Sequence, residues 1–211
     1  MNIKQFAAPV LLALTASAAQ AHEVWVERDG SGPARIYLGE PEAPLPEGGD
    51  PEFDHLKAPR LIPATRAPLT RKAGYLEVAL APGDVRVQDD AVFAPWGDAD
   101  KKQGVIYFAR AGRAEARAVM PLEIAPTTAN GDRFVLTHDG KPQADAKVTI
   151  ISPEKWSKVV VTDARGKVTV PLREKGRYLL SATRKAEGRF DTAFGEVAVL
   201  NSVTTTTFVL N

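Results

Sequence analysis

Between residues 133 and 210 the chain runs as seven short stretches rich in Val, Ile, Tyr, Phe and Thr: 133–137, 147–152, 158–163, 167–172, 177–184, 190–200 and 203–210. Clusters of Gly, Pro, Asp or Asn close most of them, as in Asp139-Gly140 and the Gly166 and Gly176 turns. Val168, Val170 and Leu172 share one face, with Thr169 on the other, which is the two-residue period of a half-buried strand. Seven strands in about 80 residues predict an antiparallel β-sandwich over 132–211. The preceding half is β-like too, with candidate strands at 23–28, 34–38, 75–80, 85–93, 105–110 and 119–124. Helical signal is close to nil. The expected fold is therefore all-β: two antiparallel β-sandwich modules, 22–126 and 132–211, joined through a Pro-Thr-Thr-Ala-Asn-Gly boundary at 126–131.

One segment departs from this texture. Between 39 and 70, Pro41, Pro44, Pro46, Pro51, Pro59, Pro63 and Pro68 break any regular element, leaving only 52–57 able to make a helical turn. A loop of this length inside a compact domain is either functional or a plain surface excursion.

The first 21 residues carry a basic start at Lys4, a small apolar run over 7–19 and the Ala19-Gln20-Ala21 cleavage pattern, so they read as a secretory signal peptide. The apolar run is too short to span a bilayer. Cleavage after Ala21 predicts an exported, periplasmic protein whose first residue is His22. Loss of Lys4 leaves the remainder formally neutral, with 26 acidic side chains balanced by as many basic ones. Neutrality argues against a nucleic-acid partner. Absence of cysteine excludes disulfides, thiol nucleophiles and thiolate metal sites, so any metal must be held by nitrogen and oxygen.

Two stretches carry a family resemblance. Asp139-Gly-Lys-Pro142, Ala144-Asp-Ala-Lys-Val148-Thr-Ile, Thr162-Asp-Ala-Arg-Gly-Lys-Val168 and Lys175-Gly-Arg-Tyr178 resemble the carboxypeptidase-regulatory or prealbumin-like β-sandwich. With Ala21-His22-Glu23-Val24-Trp25-Val26-Glu27 at the cleavage site, and Val105-Ile-Tyr-Phe-Ala-Arg110 between, the chain resembles a bacterial periplasmic family associated with nickel and cobalt uptake, long catalogued as a domain of unknown function. The resemblance implies a divalent transition metal, nickel or cobalt, as the bound species and an inner- or outer-membrane metal transporter as partner; copper is added by the donor chemistry below. An accessible histidine tract is missing.

The chemistry available is narrow. An N-terminal histidine offers its α-amine and ring Nδ1 to one cation, and both kinds of nitrogen lose their protons near neutral pH. Such donors suit Cu(II), Ni(II) and Zn. The candidate metal residues are His22, His55 and His138, with Glu23 or Asp54 as possible oxygen donors. His55 lies in the Pro-rich loop, where the alternative is a solvated side chain; His138 precedes Asp139-Gly140, where the alternative is a turn-flanking polar residue. A second histidine converging on His22 would make a histidine brace and open copper-dependent oxidation. No catalytic set emerges, and the chain is read as a non-enzyme. The leading expectation is a periplasmic metal-binding accessory protein for transport. The alternative is a carbohydrate- or protein-binding β-sandwich using exposed Trp96 or Trp156.

Overall fold

The computed structural model describes residues 22–211; the segment expected to be a signal peptide, residues 1–21, lies outside them. In chain order the strands are β1 (Glu23–Arg28), β2 (Ala34–Gly39), β3 (Arg60–Ile62), β4 (Thr70–Lys72), β5 (Tyr75–Val78), β6 (Val85–Asp89), β7 (Gln103–Ala111) and β8 (Leu122–Pro126). They continue with β9 (Arg133–His138), β10 (Lys141–Pro142), β11 (Lys147–Ile151), β12 (Ser157–Val161), β13 (Lys167–Thr169), β14 (Gly176–Thr192) and β15 (Gly195–Leu210). The fold is all-β, as the alternating pattern requires.

Three layers form. A seven-stranded sheet, ordered β12-β11-β14-β15-β7-β6-β3, lies in the middle. One face is covered by the β1-β2-β5-β4 sheet; the other is covered by β8, β9, β10 and β13. Side chains alternate along β7 to feed both cores. Val105, Tyr107, Ala109 and Ala111 join Val24, Val26, Ile36 and Leu38 on one side. Phe108 joins Leu122, Ile124, Phe134, Ile150, Tyr178 and Phe208 on the other. Every pairing in the middle sheet is antiparallel except one: β15 runs parallel to β7, from Val199↔Gln103 to Thr207↔Ala111.

β15 binds the layers together. Thr204, Thr205, Thr206 and Thr207 are all fully buried. The Thr205 and Thr207 hydroxyls donate to the carbonyls of Val24 and Val26 on β1, while Thr206 donates to Ile124 on β8 at 2.7 Å. Threonines two apart face the same layer, so a run of four serves both. These hydroxyls explain why valine does not take the places of Thr205, Thr206 and Thr207; the buried Thr204 hydroxyl has no partner among the described residues.

A second buried polar cluster sits where β6, β7 and β8 meet. Glu123, fully buried, accepts from Arg110 at 2.7 Å and Arg86 at 2.8 Å through Oε1. Its Oε2 accepts the backbone N–H groups of Val119 and Met120 at 2.6 and 2.9 Å. Arg110 also reaches Asp84 at 2.5 Å, and Arg86 reaches Glu115 at 2.9 Å. Both charges are paired and every Glu123 oxygen is used, which is what lets them be buried.

Four expectations change in detail. The stretch 190–200 is not one strand: a turn over 192–195 splits it, closed by Thr192 Oγ1, which accepts the Phe194 N–H and donates to the Gly195 carbonyl. Gly195, at φ +105°, takes the backbone conformation the turn needs. Asn201-Ser202, read as a break, instead lies within β15, with Asn201 donating to the Gly104 carbonyl at 3.1 Å. The Pro-rich segment contributes β3 and part of β4 as well as a 3-10 turn, Pro51–His55. The 126–131 boundary is a hairpin connection, because β8 pairs antiparallel with β9.

Candidate functional site

The Pro-rich loop returns to the start of β1. Gly49 and Gly74 meet backbone to backbone: a Cβ on Gly49, whose φ is +96°, would lie 2.2 Å from the Gly74 Cα. That contact pins the loop against the β4–β5 turn and sets Asp50 at the mouth of the 3-10 turn. Asp50 caps the turn, its Oδ1 accepting the Glu52 N–H at 2.8 Å. The same oxygen is 3.1 Å from His22 Nε2. His22 is buried, and its carbonyl accepts the Tyr107 hydroxyl at 3.1 Å. Burial pushes the Tyr107 phenol well above its ordinary range, so it acts as a donor.

Phe93 lies between two of the candidate histidines, 6.1 Å from the His22 ring and 5.3 Å from the His55 ring. His55 is about half exposed and pairs with Glu52 at 2.9 Å. His138 is elsewhere, at the end of β9 opposite Leu122, with Nδ1 3.5 Å from Asp139. His22 and His55 thus share a neighbourhood and His138 does not join them. Among the described residues no group of three or more His, Asp or Glu is placed to hold a metal. Asp54, the other oxygen donor considered, is exposed and pairs with Arg71 at 2.6 Å.

Beside His22 is Glu23, a half-buried acid whose Oε2 is shut off from solvent. Its Oε1 accepts the Ser181 hydroxyl at 2.5 Å, and its Oε2 has no partner among the described residues. Burial raises its pKa to about 7; the Ser181 hydrogen bond opposes the rise and the Glu42 charge adds to it. A cavity of about 230 Å³ opens beside these two residues, with Trp96, Lys185, Asn201 and Val203 completing its wall. A second, of about 270 Å³, lies on the other side of Glu23 against Glu40, Glu42 and Ser181. Asp89, which is buried, has its pKa raised by desolvation, with the Ala91 N–H opposing.

This arrangement meets part of what a divalent ion needs. The Asp50 carboxylate faces Nε2 and so assigns the ring proton to that nitrogen, placing the lone pair on Nδ1. Glu23 adds an oxygen whose hydrogen-bonding capacity is unspent. His138 lies apart from His22, while His55 sits across the Phe93 ring from it and pairs with Glu52. Trp96 and Trp156 are half-buried against the two cores, and the Trp156 indole N–H donates to Glu174 at 3.4 Å.

Asp50 and Gly49 escaped the sequence reading. Asp50 lies 28 residues from His22, and an acid before Pro51 signals only a turn.

No curated protein matches the chain. A solved structure from Bacteroides ovatus, the mixed-linkage glucan utilization locus protein SGBP-B in complex with a mixed-linkage heptasaccharide, is similar at 15% identity with a TM-score of 0.17. That likeness covers 86% of this chain but 43% of the other. Residues 57–186 match the model of a domain of unknown function, a segment that includes His138 and excludes His22 and His55. That segment is more than half of the sequence, and the chain belongs to the DUF4198 family.

Proposed function

We propose that this is an exported, non-enzymatic protein that captures a divalent transition ion at His22 and delivers it to a membrane transporter. Cleavage after Ala21 turns the His22 backbone nitrogen into an amine, which closes a chelate ring with Nδ1. Nickel, cobalt and copper are the cargo this donor pair favours, since amine and imidazole nitrogens suit the later first-row ions. Glu23, next in the chain, is the candidate source of an oxygen ligand. The observation that carries the reading is the 3.1 Å contact from His22 Nε2 to Asp50. A carboxylate on one imidazole nitrogen orients the ring and strengthens the other nitrogen as a ligand.

The test is calorimetric titration of protein beginning at His22 with Ni(II), Co(II) and Cu(II). Binding that vanishes in His22→Ala, and in a form keeping an initiator Met before His22, supports the reading. The Met form matters because it leaves the ring in place and moves the amine away. Equal affinity in all three proteins overturns it.

A further inference from the structure

The middle sheet ends on one side at β12, which pairs with β11 and has no strand on its other edge. Val160 packs toward the core that holds Phe134 and Tyr178. Val159 and Val161 point to the opposite face, where the β1-β2-β5-β4 layer does not cover them, and are 57% and 58% exposed. A free edge with apolar side chains is a template for another strand, and proteins blunt such edges with proline, charge, bulges or shortness. Outer strands elsewhere in this fold are blunted. β8 and β10 end on Pro126 and Pro142, and β3 runs into Pro63. β4 and β13 are three residues each. The β1 carbonyls at Val24 and Val26 are taken by hydroxyls of β15. β12 has no proline and no bulge, and its single charge is Lys158.

Hydrogen bonding to β11 fixes which backbone groups of β12 are available. The Ser152 N–H donates to the Trp156 carbonyl at 3.0 Å, and the Thr162 N–H donates to the Ala146 carbonyl at 2.9 Å. Bonded positions alternate in an antiparallel ladder, so Lys158 and Val160 turn their backbone groups to β11. Ser157, Val159 and Val161 therefore aim their N–H and C=O outward. Such an edge is complementary to itself. With Val159 opposite Val159 of a second copy, Ser157 falls opposite Val161, and each outward group finds a partner. Lys158 then faces Val160 and not another lysine, so no like charges are opposed. A slip of two residues, the smallest that keeps bonded positions aligned, either sets Lys158 against Lys158 or leaves Ser157 opposite Asp163, outside the strand. Lys155 precedes the strand and Asp163 follows it, both exposed, so antiparallel pairing brings opposite charges together at both ends.

We infer that β12 is a self-association edge: two copies pair antiparallel about a twofold axis at Val159, and the middle sheet of one molecule continues into the next. Val159 and Val161 of both copies then form one apolar ridge on the face they leave exposed when alone. An isologous contact of this kind closes on itself and does not propagate. A strand of five residues a side buries less than the ~1,200 Å² of a standard interface, so the dimer is a transient one that forms at high concentration. No residue of the metal reading lies on β12, so the two proposals stand or fall separately.

The test is sedimentation equilibrium of protein beginning at His22, up to about 1 mM, in excess chelator so that no metal bridges two copies. The expected result is a monomer–dimer equilibrium with a Kd of about 0.1–1 mM. Val159→Lys sets two ammonium groups together at the axis and should weaken the dimer by about tenfold or more. Position 159 is exposed, so an unchanged melting temperature will show that this variant is folded. Because the chain has no cysteine, introduced ones report the register. The two Cα atoms at position 159 would lie about 5.5 Å apart, within disulfide reach, and Val159→Cys should cross-link to itself under mild oxidation. At position 161 the copies are about 14 Å apart, so Val161→Cys should not do so, but should couple to Ser157→Cys in a mixture. A monomer at about 1 mM, which leaves the edge to a strand of some other chain, overturns the inference. So does undiminished dimerisation of Val159→Lys, or an equal rate of self-coupling at 159 and 161, zero included.

Discussion

One oxygen of Asp50 serves both a turn and a histidine. Replacing Asp50 with Asn keeps an acceptor for the Glu52 N–H but removes the negative charge that faces His22 Nε2. We expect Asp50→Asn to fold normally and to lower metal affinity by about tenfold, measured by the same titration, because outer partners of a ligating histidine typically matter by that much. Desolvated acids give a second prediction at this scale. Asp89 and Glu23 both have folded pKa values above their ordinary ones, Glu23 moving from 4.5 to about 7. A raised acid binds more protons folded than unfolded, so stability falls as pH rises from about 4 to 7. Thermal melts of the metal-free protein should show that fall, and Asp89→Asn should flatten its acidic part. Sequence reading reached His22 because a cleavage pattern is local. It missed Asp50 because the pairing is made by a fold, not by spacing.

At the scale of elements, the Pro-rich loop depends on two glycines. A methyl group on Gly49 cannot fit at 2.2 Å from the Gly74 backbone. Gly49→Ala should therefore cost roughly 2–3 kcal/mol in denaturant unfolding and lower metal affinity at least as far as Asp50→Asn, since it displaces the segment carrying Asp50. β15 gives a contrasting case. Thr205→Val and Thr206→Val preserve shape but remove one interlayer hydrogen bond each, and should cost about 1 kcal/mol apiece. Glu123→Ala is the severe change: two arginines lose their shared carboxylate in a dry environment, and about 3–5 kcal/mol should be lost. Strand positions were legible because burial on one face enforces a period of two. The 190–200 stretch misled because Ala193 and Phe194 look like strand residues; Gly195 and the Thr192 hydroxyl, which make the turn, are weaker signals.

For the molecule as a whole, the sequence displays two apolar sets, and two cores do form, one on each face of the middle sheet. What composition and alternation do not display is that the cores share a wall. Parallel pairing of β7 with β15 joins residues about a hundred positions apart, and no turn chemistry announces it. The expected outcome in calorimetry is a single cooperative transition for residues 22–211. A fragment comprising 132–211 leaves β15 without β7, β1 and β8, and should show no cooperative melt.

The position of β15 in the order of the chain has a temporal consequence. It lies at the centre of the middle sheet and holds a layer on either side, yet residues 195–210 follow every element they organise. A polypeptide that emerges amino end first from a ribosome cannot join the two halves of its middle sheet until those residues arrive. Closure then demands contacts of long sequence separation, which form slowly. The strand acts as a keystone set last.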